Sequence, residues 1–217
     1  MSVTQQQNRV NNGAPSDPRI AFFDALAPRW ESTGPDPAFV LGRLQALRPR
    51  LGLPSGQPVL ELGCGTGLVT PLLAEWAGSG SVVGADFSTG MIDCARAKNL
   101  RARFIAMDIC EQPAPERFAT VFAFNVFPHL RDQPRALRHL AASLIPGGLL
   151  IVLHLMGSAK LNAFHHNLGG AVGADLLPGV EQWPDLLSGA GFSLIEAEDN
   201  DDLFLLKARC GEKGEQE

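Results

Sequence analysis

The sequence predicts an α/β fold: a mostly parallel seven-stranded sheet with helices on both faces, a reversed strand at one edge and an N-terminal helical segment. Three observations predict it. Short apolar runs alternate with helix-periodic segments through the middle of the chain, the pattern of βαβ crossovers. A Gly-rich turn, Gly63-Cys64-Gly65-Thr66-Gly67, joins the first apolar run, Val59–Leu62, to a helical pattern. Two extended segments near the C-terminus are separated only by Asp199-Asn200-Asp201, a connection that requires an antiparallel pair.

Taken in order, residues 1–17 are polar and contain Gly and Pro, and read as a disordered tail. Residues 18–57 form the helical segment. Within it Phe22, Phe23, Leu26 and Trp30 recur at helical spacing, and Pro28 must kink or end that helix. A second helix, Pro37 to Leu47, gathers Phe39, Val40, Leu44 and Leu47 on one side before Pro49, Pro54, Gly56 and Pro58 punctuate a linker. The main domain runs from 58 to 210. Its strands are expected at 58–63, 81–86, 102–107, 118–124 and 148–154, with helices near 67–77, 89–98 and 132–145. Pro146-Gly147-Gly148 reads as a helix stop leading into Leu149–Leu153. The closing hairpin is expected at 191–198 and 202–209, and residues 211–217 as a flexible C-terminus.

Composition narrows the function classes. At 217 residues and 45% hydrophobic content the chain can bury one substantial core. A net charge of -5 argues against a general nucleic-acid binder, so no nucleic-acid partner is expected. Cys64, Cys94, Cys110 and Cys210 lack CxxC spacing and read as reduced thiols. No apolar run approaches the roughly 20 residues of a membrane span, and no apolar signal core opens the chain. No membrane insertion and a cytoplasmic location are therefore expected.

The glycine turn allows a ligand to touch main chain, with free N–H groups at the following helix start. The second strand ends in Asp86, placed to accept hydrogen bonds from a ribose diol, and Phe87 follows where a base would stack. The third strand is followed by Met107-Asp108-Ile109, where Asp108 would accept from an adenine amino group. In the plainer reading each aspartate caps the helix behind it. Three such features at the carboxyl ends of adjacent strands favour the ligand.

Over Val59 to Arg209 the chain resembles the class I S-adenosylmethionine-dependent methyltransferases, whose fold is Rossmann-like. The motifs are Glu61-Leu62-Gly63-Cys64-Gly65-Thr66-Gly67, Val83-Gly84-Ala85-Asp86-Phe87-Ser88, Met107-Asp108-Ile109, Leu144-Ile145-Pro146-Gly147-Gly148 and Ala190-Gly191-Phe192. The resemblance implies S-adenosyl-L-methionine as cofactor. Gly63, Gly65 and Gly67 would cradle its methionine part, with Glu61 ordering that region. Asp86 would hold the ribose, Phe87 and Met91 would flank the adenine, Asp108 with Ile109 would bind its edge, and Asn125 would lie near the sulfonium. A dinucleotide dehydrogenase fits less well, because the glycines are spaced G-x-G-x-G.

The fourth strand ends Phe124-Asn125-Val126-Phe127-Pro128-His129, without the Asn/Asp-Pro-Pro-Tyr/Phe motif of amino-directed nucleic-acid and protein enzymes. A small-molecule acceptor is favoured. Phe22 to Trp30 resembles the lid helix of ubiquinone- and menaquinone-biosynthesis methyltransferases. An RNA- or protein-directed methyltransferase and a non-catalytic S-adenosylmethionine-binding protein are the alternatives.

Four of the five histidines fall near the acceptor side: His129 after the fourth strand, His154 ending the fifth, and His165 and His166 beyond it. His139 is expected on a helix remote from the site. His129, His154 and His165 are the candidate catalytic residues, as general bases near neutral pH. The same three are candidate ligands for a transition metal such as zinc, against a plain pocket-lining role. Adjacent His165 and His166 cannot both face one point. Asp175 reads first as an exposed loop acid, with an additional ligand or orienter as the alternative, and Trp183 and Phe164 read as core rather than acceptor platforms.

Overall fold

The computed structural model describes residues 17–211. The expected tail, apart from Asp17, and the expected flexible C-terminus, apart from Gly211, lie outside the described residues. Helix α1 (Pro18–Leu26) starts on Asp17, whose carboxylate accepts the Arg19 N–H, and passes into a 3₁₀ segment (Ala27–Ser32) at Pro28. Proline removes a helix hydrogen bond there, so the helix tightens and stops. Helix α2 (Pro37–Leu51) is capped by Asp36 and ends on left-handed Gly52.

Then follow β1 (Val59–Leu62), α3 (Thr70–Ala77), β2 (Val82–Asp86), α4 (Thr89–Ala97), β3 (Arg103–Ala106) and β4 (Phe118–Phe124). The chain continues with α5 (Gln133–Ser143), β5 (Leu144–His154), α6 (Ser158–Leu168), α7 (Trp183–Ser188), β6 (Phe192–Asn200) and β7 (Leu203–Cys210). The sheet order is β3-β2-β1-β4-β5-β7-β6. Strands β3 to β5 pair in parallel; β7 runs antiparallel between β5 and β6, which takes the outer edge.

Period-two alternation divides the core between the two faces. Leu60, Leu62, Val121, Ala123, Leu150, Val152, Phe204 and Leu206 pack with Leu137, Leu140, Trp183 and Leu187 of α5 and α7. Val59, Phe122, Ile151, Leu153, Leu203 and Leu205 pack the other way, with Val40, Leu44 and Leu73 of α2 and α3. Both faces are covered, which is why these strands read as continuous apolar runs.

Three places differ from the sequence reading. Pro49, expected in the linker, lies inside α2, which runs on to Leu51. Leu144 already pairs with Phe118, so β5 starts before the Pro-Gly-Gly segment, and the register shifts between Phe118 and Thr120 to absorb it. Helix α6 escapes an apolar-periodicity search because only Ser158 and His165 are buried on it.

Candidate active site

The strand ends converge as the topology requires, at the carboxyl edge where β1 and β4 part on either side of the crossover. Gly63, Gly65 and Gly67 adopt φ of +66°, +52° and +80°. A Cβ at Gly63 would sit 2.3 Å from Val126 Cγ2, so β4's exit leaves room only for glycine. The cradle is therefore main chain by steric necessity.

Asp86, buried at the end of β2, ties the turn together. Its Oδ2 accepts the Gly65 N–H at 2.9 Å and its Oδ1 accepts the Ser88 N–H at 2.9 Å. Burial pushes its carboxyl up to about 6 against the pull of those two bonds. Glu61, inside β1, accepts the Thr70 hydroxyl at 2.5 Å, and burial pushes it up to about 8. Asp108 accepts the Cys110 N–H at 2.7 Å and lies 3.3 Å from Arg131 Nη2. His139, expected to be remote, in fact bonds the site: its Nδ1 is 2.6 Å from the Ile109 carbonyl. The carbonyl can only accept, so Nδ1 carries the proton.

Gly63, Asp86, Phe87, Asp108, Ile109 and His129 line one narrow cleft together with Arg131. Its volume is about 20 Å³, room for one water. Glu61, Gly65, Gly67, Met91 and Asn125 lie outside its lining. Met91 is buried with Phe23, Ala27 and Val172. Asn125 is exposed with a left-handed φ of +54°, a conformation asparagine tolerates better than most residues.

Helix α1 and the 3₁₀ segment after it lie over this cleft. Phe23 stands edge-on to Phe87 (5.7 Å), Trp30 (5.7 Å) and His129 (5.0 Å). Asp24 Oδ1 accepts from Ser88 Oγ at 2.5 Å and from the Gly90 N–H at 2.9 Å, at the start of α4. Glu31 accepts the Thr66 hydroxyl at 2.5 Å and pairs with Lys98. Trp30 Nε1 sits 3.3 Å from where a Gly65 Cβ would lie.

A second recess adjoins the cleft. A groove of about 780 Å³ is lined by Arg19, Pro128, Asn162, Asp175 and Gln182 among others, and Leu130 and Arg131 line both recesses. His129 lines the cleft, and its neighbours Pro128 and Leu130 line the groove; it sits on a 3₁₀ turn (Phe127–His129). Its Nδ1 is 2.7 Å from Asp175 Oδ2. Asp175 is not the exposed loop acid expected: its side chain is fully buried, and Arg19 Nε and Nη2 approach Oδ1 at 2.9 and 2.7 Å. Charge pairing keeps it inside. His165 is buried, 5.0 Å from His129 ring to ring, with Nδ1 3.0 Å from the Asp175 carbonyl. Burial, reinforced by the His129 charge, lowers its pKa. His166 is exposed.

His154 is different again. Both ring nitrogens are buried without a partner, and burial, with the charges of His129 and His165, pushes its pKa down to about 3. It stays neutral, with one donor and one acceptor to offer. Among the described residues no group of three or more His, Cys, Asp and Glu side chains is placed to hold a metal ion, so the transition-metal expectation gains no support. Trp183 is core as expected, but Phe164 is half exposed.

Sequence reasoning passed over Arg19 and Asn162. Asn162 accepts the Leu177 N–H (2.8 Å) and donates to the Leu177 carbonyl (3.0 Å), docking the segment that carries Asp175 onto α6. Arg19 lies 156 positions from its partner Asp175, a separation at which no local pattern announces a pair.

The strand order and the strand-end geometry are those that the resemblance to class I S-adenosylmethionine-dependent methyltransferases implies for the fold. Residues 59–148 match the family model described as "Methyltransferase domain". The chain is 34% identical over 129 residues to the trans-aconitate 2-methyltransferase of Variovorax paradoxus (strain S110), covering 59% of this chain and 48% of that protein. It is 32% identical over 140 residues to the 2-phytyl-1,4-naphtoquinone methyltransferase of Thermosynechococcus vestitus, covering 61% and 62%. The chain thus spans about half the length of the curated relatives it matches. Among solved structures, the DhpI–SAH complex superimposes with a TM-score of 0.69 at 19% identity over 88% of this chain and 95% of that one, a likeness of fold. No helix of the described residues is long and apolar enough to cross a membrane.

Proposed function

We propose that the chain transfers a methyl group from S-adenosylmethionine to a small molecule bearing a protic nucleophile, with His129 as the base that takes the acceptor's proton. The observation that carries this reading is that the two recesses share Leu130 and Arg131, with His129 on the wall of the cleft and its neighbour Pro128 on the wall of the groove. When bound, S-adenosylmethionine would supply a methyl carbon on a cationic sulfur; the acceptor's lone pair would attack that carbon in line, and the C–S electron pair would leave with the sulfur as a neutral thioether.

The residues fit such a donor. The cradle of Gly63, Gly65 and Gly67 offers main chain, Asp86 offers a buried carboxylate for a diol, and Asp108 offers an acceptor for an amino group. The cleft of about 20 Å³ requires the helices over it to move for entry, after which they exclude water. The groove has the size of a small-molecule pocket. Its two arginines are each neutralised, Arg19 by Asp17 and Asp175 and Arg131 by Asp108 and Glu111, which disfavours a polyanionic acceptor such as RNA. His154 and His165 are buried and line neither recess, so His129 is the one histidine assigned a contact with the acceptor.

The test is release of S-adenosylhomocysteine during incubation with S-adenosylmethionine and two acceptor panels, unsaturated carboxylic acids and reduced naphthoquinols, the chemistry in the relatives' names. Turnover with a panel member, lost in His129→Ala, is expected. Cofactor binding without turnover across both panels would favour the non-catalytic binder.

A further inference from the structure

The buried carboxylate at the groove wall has more to do than balance charge. Asp175 meets two imidazoles at once: its side chain meets His129 Nδ1 at 2.7 Å and its own carbonyl meets His165 Nδ1 at 3.0 Å. Its other carboxylate oxygen takes the fork of Arg19 at 2.9 and 2.7 Å, and Arg19 belongs to α1, one of the helices over the cleft. We infer that Asp175 is a positioning residue that sets the tautomer of both rings, and that Arg19 couples this setting to closure of α1.

The argument is one of hydrogen-bond roles. Burial alone would push the Asp175 carboxyl up, but the bonds from His129 and Arg19 outweigh it and hold it below its ordinary value. It is therefore ionised at neutral pH and can only accept. The proton of a neutral His129 ring must then sit on Nδ1, leaving Nε2, on the far side of the ring from Asp175, as the free base. A carbonyl likewise only accepts, so His165 is also held as the Nδ1–H form. The other titratable groups facing His129 are His154, His165 and, across the cleft, Asp86.

When α1 swings away, Arg19 leaves with it, and a buried carboxylate is left with His129 as its remaining partner. A buried carboxylate left without its guanidinium partner is unfavourable, so the Arg19–Asp175 pair draws α1 shut. The base is thereby fully assembled with the cleft closed. The catalytic consequence rests on the proposed role of His129; the tautomer assignment does not.

The experiment is long-range ¹H–¹⁵N NMR of histidine-labelled protein. Wild type is expected to show His129 and His165 as Nδ1–H rings. In Asp175→Asn, the Arg19 fork still demands an acceptor, so the amide turns its oxygen to Arg19 and its NH₂ to His129, and the His129 ring inverts to Nε2–H while His165 stays unchanged. His129 found as Nε2–H in wild type, or unmoved in Asp175→Asn, would overturn the inference. Arg19→Gln, at a half-buried position, guards against failure of Asp175→Asn to fold. Its α1 amides should exchange about tenfold faster with His129 still Nδ1–H, and unchanged exchange would overturn the coupling. With a substrate in hand, Asp175→Asn should lower kcat by about 10²-fold or more at unchanged cofactor KM. A protein that passes the NMR test but transfers no methyl group would refute the proposed function alone.

Discussion

Glu61→Gln is the perturbation whose consequence follows most directly from the structure. Glu61 is buried in β1, between Gly84 of β2 and Phe122 of β4, with the Thr70 hydroxyl as its hydrogen-bond donor. Burial raises its carboxyl from the ordinary 4.5 to about 8, with nearby Asp86 adding to the rise. Between those two values the folded protein holds a proton that the unfolded chain has released. Stability is therefore present in full below pH 4.5 and falls as pH rises toward 8. At about 1.4 kcal/mol per pKa unit, the whole loss is about 5 kcal/mol, of which about 3 to 4 kcal/mol falls between pH 5 and 8. That is a large share of the 5–15 kcal/mol typical of a domain, so roughly this size of change is measurable. Glutamine keeps the shape and removes the titration. Urea unfolding of both proteins at pH 5 and pH 8 should show wild type losing about 3 to 4 kcal/mol more than the variant. Asp86, pushed up to about 6, contributes a slope of the same sign to both proteins. Parallel pH–stability curves would refute the reasoning.

Two further outcomes are expected. Gly63→Ala places a Cβ 2.3 Å from Val126 at a φ of +66°, and should lose about 2–3 kcal/mol and lower Tm by about 5–10 °C; an unchanged Tm would show that the β4 exit yields freely. His154→Leu removes a buried ring whose nitrogens are both unpartnered, and should be neutral or stabilising by about 1–2 kcal/mol in urea unfolding. Clear destabilisation would mean the imidazole has a structural partner after all.

The donor side was legible because its signals are local. Glycines needing positive φ, an acid at a strand end and apolar runs of strand length each occupy a few consecutive residues, and their register follows from the parallel topology. The acceptor side was only half legible. His129, His154 and His165 could be placed at neighbouring strand ends, but their roles could not be separated, because what separates them is burial and partners. His154 has no partner, His165 has a carbonyl, and His129 has a carboxylate that looked like a loop acid. Asp175 is buried only because Arg19 and His129 arrive from remote parts of the chain to pair with it. Helix α6 was missed for a related reason: its buried positions are polar, so no apolar stripe marks its face. The histidine on α5 was misplaced because its bond to the Ile109 carbonyl crosses 30 positions.

The central claim is that the β1–β2–β3 edge holds S-adenosylmethionine through Asp86. Isothermal titration of S-adenosylhomocysteine, the stable product, into wild type and Asp86→Ala tests it without knowledge of the acceptor. The account predicts one site with Kd below about 100 μM, weakened about 100-fold or more in the variant, as loss of two charge-assisted hydrogen bonds implies. No binding to wild type, or equal affinity in the two proteins, would contradict it.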